Sequence, residues 1–173
     1  MEILGDFLKI VLPALLVLLG IYISIDALLR RQMEKSVLEM RSKFTETILP
    51  IRLQAYERMA LFLERISPQN LIMRINQPGM NAAGLHSVML SEIREEFSHN
   101  LSQQVYMGHG TWILIRNAME DIVSLINTCA QETDPEAPSL ELARMIFERL
   151  MQQGSDPVQK AMTELKSEIS VYF

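Results

Sequence analysis

Thr111-Trp-Ile-Leu-Ile-Arg-Asn-Ala-Met-Glu-Asp-Ile-Val-Ser-Leu-Ile126 is the stretch that decides the fold class. Trp112, Ile115, Met119, Ile122 and Ile126 recur every three or four residues, the period of an amphipathic helix, and Thr111 is a residue type that caps one. This is the most apolar helical stretch outside the N-terminal run, so it is expected at the centre of a helical bundle.

Toward the C-terminus, residues 134–138 (Asp-Pro-Glu-Ala-Pro) read as a loop. Ser139 is expected to cap a helix with Leu142, Ile146 and Leu150 inward, which Gly154 stops. Asp156 followed by Pro157, with Gln159 three residues after the cap, is a strong helix start. Val158, Met162, Leu165 and Ile169 form the inner stripe of that last helix.

Toward the N-terminus, residues 101–110 lack clear periodicity, hold Gly108 and Gly110, and read as a connector with a few extended residues. A helix is expected from near Asn81 with Leu85, Val88, Met89, Ile93 and Phe97 inward. Before it come a turn at Pro78-Gly79 and a short apolar patch at 71–75. Ala55, Met59, Phe62 and Ile66 mark another helix, with Tyr56 and Leu63 widening its inner face and Arg52, Glu57, Arg58 and Glu64 left for solvent; Ser67 and Pro68 are expected to end it. Pro50 is expected to kink or break the chain there. No stretch alternates as a strand should and no repeat is visible, so the class is all-α.

The first 29 residues differ from the rest. Residues 10–25 carry no charge, and Phe7, Leu8 and Ala27 to Leu29 extend the run to about 23 residues, enough to span a bilayer. Glu2 and Asp6 precede it and Arg30, Arg31 and Lys35 follow, the reverse of a cleaved signal peptide. The expectation is therefore an uncleaved transmembrane helix in the inner membrane, N-terminus outside and C-terminal domain cytoplasmic. Met33, Val37, Met40 and Phe44 then suggest a heptad-like stem of about two heptads. The expected organisation is a transmembrane anchor over 1–29, a helical stem over 30–49 and an antiparallel bundle of about five helices over 50–173.

From Ser36 onward there are 12 Lys and Arg against 17 Asp and Glu, so the net charge of −5 belongs to that part. With its arginines interleaved among glutamates at helical spacing, this part is a poor match for a polyanion, and no nucleic-acid partner is expected. The single cysteine, Cys129, sits among apolar neighbours and reads as a small buried side chain in a reducing compartment.

Glu96 and His99, three apart on one helix, have the spacing used twice in carboxylate-bridged di-iron bundles. Here the pair occurs once, so the expectation is no metal, even with Glu92 and Glu95 nearby. His86 and His109 lack an evident partner, and no nucleophile turn or phosphate-cradling glycine loop is present. Met59, Met89, Met119 and Met162 fall on inner stripes, where core filling outweighs an adaptable binding groove. No catalytic residue, cofactor or metal ligand is assigned.

Two stretches carry a resemblance: residues 53–75, with Gln54-Ala-Tyr-Glu-Arg58 at their centre, and residues 99–127, containing Asn100-Leu-Ser-Gln-Gln104. They resemble an uncharacterised family of small bacterial single-pass membrane proteins with a helical cytoplasmic domain. The resemblance implies an inner-membrane location and transfers no functional residue. The expected role is a membrane-anchored, non-enzymatic interaction or scaffold protein. Its expected partners are the lipid bilayer and a protein partner or a second copy of the chain. An accessory subunit of a membrane complex is the alternative, and a metal-dependent enzyme the less favoured one.

Overall fold

The computed structural model describes residues 2–154 and 156–171, the side chains of residues 2–14, 41–42 and 44–45 excepted. Six α-helices and one 3-10 helix form among them: α1 (Glu2–Ile66), α2 (Pro68–Ile75), α3 (Ala82–Asn100), the 3-10 helix (Leu101–Tyr106), α4 (His109–Glu132), α5 (Ser139–Gln152) and α6 (Pro157–Ser170). The chain divides into two compact units, Met1–Leu49 and Pro50–Phe173.

In the first unit the helix is stabilised locally, with Arg30 Nε 2.8 Å from Asp26 Oδ2 and the Ser24 hydroxyl donating to the Gly20 carbonyl at 2.7 Å. Large apolar side chains remain exposed, among them Leu16, Leu18, Tyr22, Leu28 and Met33.

The transmembrane anchor requires correction. Among the described residues, no helix is long and apolar enough to cross a membrane. Asp26, Arg30 and Arg31 follow the uncharged run of residues 10–25 directly. The start of the expected span, with Lys9 and Pro13, lies outside the described side chains, as does Phe44 of the expected stem seam. The single-pass topology, the inner-membrane address, the lipid-bilayer partner and the reading as a single-pass membrane family are therefore withdrawn. Holding a protein partner or a second copy at the cytoplasmic face, and service as an accessory subunit of a membrane complex, lose their support with the anchor.

The helix count of the expected bundle is corrected as well. Pro50 lies inside α1 instead of breaking it, because a proline forfeits one backbone hydrogen bond but leaves the helical dihedrals accessible. Pro68 opens α2 at its first turn, where a missing N–H is no loss, so the apolar patch at 71–75 is helical. The connector begins as the 3-10 helix.

The second unit has one continuous apolar core. Met59, Phe62 and Leu63 of α1, Leu71 of α2, Leu85, Met89 and Ile93 of α3, Ile115, Ile122 and Ile126 of α4 and Leu142 and Ile146 of α5 are essentially solvent-free. Each such side chain contributes about 1.5–3 kcal/mol on leaving water. Phe97 stacks on Trp112 with ring centroids 5.6 Å apart and also meets Phe62 at 5.9 Å, joining α1, α3 and α4.

Caps place the helix starts. Asn81 Oδ1 accepts from Gly84 N at 2.9 Å to open α3, and Asp156 accepts from Val158 N at 2.9 Å to open α6. The starts of α3 and α5 are tied together by main-chain bonds, Ala82 N to Ala137 O at 2.8 Å and Ser139 N to Met80 O at 3.0 Å. Gly79, at φ 84, supplies the left-handed residue of the preceding turn. Unlike these starts, α4 has no side-chain cap of its own, since its cap position is Gly108.

Candidate functional site

The missing cap of α4 comes from α6. Gly108 N donates to Glu168 Oε1 at 2.6 Å, so a carboxylate from the last turn of α6 sits at the positive end of the α4 dipole. The same oxygen accepts from the Tyr56 hydroxyl at 2.6 Å. Arg52, one turn before Tyr56 on α1, places a guanidinium nitrogen 3.7 Å from it.

Arg52 is itself held by other groups. Its Nε donates to the Tyr106 carbonyl at 2.9 Å, its Nη2 to the Tyr56 oxygen at 3.2 Å, and its guanidinium lies 5.9 Å from the centre of the Tyr56 ring. Three parts of the second unit thus converge on one carboxylate: α1, the end of the connector, and α6. Tyr56 is 2 % exposed and the nearby Thr111 3 %, so the cluster is rooted in the core. Glu168 Oε2 is buried without a well-formed hydrogen bond among the described residues. The Thr111 hydroxyl nonetheless interacts with the carboxylate and helps to hold it ionised.

The electrostatics polarise the pair in opposite directions. Burial would raise the Glu168 carboxyl, but hydrogen bonds from Thr111, Tyr56 and Gly108 and the charge of Arg52 outweigh it and hold the group below its ordinary value. Burial first, and then the bond to Glu168, push the Tyr56 phenol well above its ordinary range despite Arg52. Around neutrality one group stays ionised and the other stays protonated. General acid–base catalysis is most efficient with a pKa near the working pH, and both groups are shifted away from neutrality.

Elsewhere, Glu96 is engaged by Arg65 at 2.7 Å and Glu92 is paired with Arg74, while His99 and Glu95 are exposed on α3. The structure therefore ties the Glu96 carboxylate to α1 and does not gather a ligand set around His99. Among the described residues no group of three or more His, Cys, Asp or Glu side chains could hold a metal. His86 Nε2 lies 2.8 Å from Asn127 Oδ1, beside a cleft of about 190 Å³ lined by Ala82, Ala130 and Gln131. A cleft of about 420 Å³ is lined by Asp121, Ser124, Thr128, Arg149 and Gln153, with Arg149 drawn to Glu132 at 2.5 Å. His109 is exposed on the first turn of α4. Burial pushes the Cys129 thiol up, away from a reactive thiolate. Met59, Met89 and Met162 are buried, and Met119 packs against the same core.

Sequence reading misses this cluster. It assigns Arg52 to solvent, Tyr56 to an apolar face and Gly108 to a connector, and gives Glu168 no role. The contacts span 112 and 60 residues. The available signal is slight: Glu168 stands between the inward Leu165 and Ile169, and α4 begins at a glycine that cannot cap with a side chain.

No curated protein and no solved structure matches the chain. A family model described as a family of unknown function (DUF7935) matches residues 2–172.

Proposed function

We infer that this chain, which belongs to the DUF7935 family of unknown function, is a non-catalytic helical module built on the apolar core of its second unit. The observation that carries the reading is the Glu168 cluster. A carboxylate at the meeting of α1, α4 and α6 is spent on joining them, and its donors hold it below its ordinary value. In this role Glu168 is a clasp.

Stability distinguishes a clasp from a reactive group. Functional sites commonly hold residues at the expense of stability, so their replacement is neutral or stabilising. Replacing a clasp is destabilising. Glu168→Gln keeps the shape and one acceptor oxygen but removes the charge, and it is expected to lower stability by about 1.5–3 kcal/mol, the scale of a hydrogen bond to a charged group. Urea denaturation of the full chain measures this, and a variant as stable as the parent, or more so, would overturn the reading.

A further inference from the structure

We propose that the seat of Glu168 is a receptor for a small carboxylate anion, occupied in the folded chain by the protein's own side chain. The proposal rests on the clasp reading but extends it to a binding site.

The donors belong to elements other than α6. Tyr56 and Arg52 come from α1, the Gly108 N–H from the start of α4, and the buried Thr111 hydroxyl from its first turn. Each is also held by contacts that do not involve Glu168. Arg52 is braced by the Tyr106 carbonyl and the Tyr56 oxygen, and Tyr56 is fixed in the core. A phenol, a guanidinium and a main-chain N–H at a helix N-terminus form an anion-recognising set. On these other contacts the set is expected to persist when the glutamate side chain is removed.

Two details define the ligand class. A Cβ built on Gly108 would lie 3.2 Å from both carboxylate oxygens, so the seat is tight on that side and favours a flat anion over a tetrahedral one. Glu168 also uses the seat unevenly, since Oε1 takes the Tyr56, Gly108 and Arg52 contacts while the buried Oε2, the Thr111 interaction aside, has no well-formed hydrogen bond among the described residues. A free carboxylate, released from the geometry of α6, can turn to engage donors with both oxygens. The buried anchors of α6, Val158, Ala161, Met162 and Leu165, all precede Glu168. Beyond it the helix ends at Ser170, with Ile169 half-buried and Val171 exposed. The tethered carboxylate therefore lies in the least anchored turn of α6.

The test uses the full chain carrying Glu168→Ala, with formate as probe and chloride at matched ionic strength as control. Formate is expected to stabilise the variant saturably, raising its folding equilibrium constant about tenfold when formate reaches about nine times its dissociation constant. The parent, whose seat is filled, and the double variant Glu168→Ala/Arg52→Met should respond much less, and inorganic phosphate should not replace formate. If Glu168→Ala does not fold in chloride, the readout becomes the yield of folded protein on refolding in formate against chloride. Equal yields, no formate response, or an equal response in all three proteins would overturn the receptor. A destabilised Glu168→Gln alongside a formate-insensitive Glu168→Ala would refute the receptor while leaving the clasp intact.

Discussion

Gly108→Ala is expected to change sign with its background. Gly108 has φ −66 and ψ 147, a backbone conformation that alanine adopts freely. Replacing glycine at such a position ordinarily stabilises by about 0.4–1 kcal/mol, because the unfolded chain loses freedom. Here the new methyl would lie 3.2 Å from both Glu168 oxygens and 3.3 Å from their carbon. The carboxylate is pinned by two bonds of 2.6 Å, so it yields only by stretching them. Weakening two charge-assisted bonds, each worth about 1.5–3 kcal/mol when lost outright, should outweigh the entropic gain and leave the variant about 1–2 kcal/mol less stable. In the Glu168→Ala background nothing resists the methyl, and the same substitution should stabilise by about 0.4–1 kcal/mol. Urea denaturation of the four proteins gives the coupling directly, expected at about 1.5–3 kcal/mol. Equal effects of Gly108→Ala in both backgrounds would refute the claim that Glu168 caps α4.

Tyr56→Phe removes one donor to Glu168 and the acceptor of Arg52 Nη2, and should lower stability by about 1–2 kcal/mol, seen as a drop of several degrees in Tm. Because the Glu168 pKa is lowered on folding, its contribution is present above the ordinary carboxylate value and is lost as the pH falls through the folded one; the stability gap between the parent and Glu168→Gln should therefore close in acid. The Tyr56 shift has the opposite sense: its contribution is complete below the ordinary phenol value and is lost as the pH rises through the raised one, so the gap between the parent and Tyr56→Phe should close only in strong alkali. Leu85→Ala, at a fully buried core position of α3, should cost about 2–5 kcal/mol in the same denaturation assay.

Local patterns make much of the second unit legible. Asn81, and Asp156 with Pro157, announce the starts of α3 and α6 because a cap is a short-range bond between neighbours in sequence. The stripes of Leu85, Met89 and Ile93, and of Ile115, Ile122 and Ile126, reveal their helices because burial of one face imposes the helical period. Pro50 misleads, since the ring that can end a helix is tolerated within α1, whereas Ser67-Pro68 ends α1 and also opens α2, with a cap residue before the proline as at Asp156-Pro157. The apolar N-terminal run invites a membrane span on hydropathy alone, yet among the described residues no helix meets that requirement. The clasp is the least legible feature, since Arg52, Tyr56, Gly108 and Glu168 carry no motif and meet only when α6 packs on α4 and α1.

The ionisation of Glu168 in the intact chain, followed through its side-chain carboxyl carbon by NMR, tests the clasp most directly. The carboxyl should titrate below the ordinary glutamate value of about 4.3, and Tyr56→Phe should raise its pKa. A carboxyl titrating at or above that value, unmoved by Tyr56→Phe, would mean that the donors do not hold it and that the bundle closes without it.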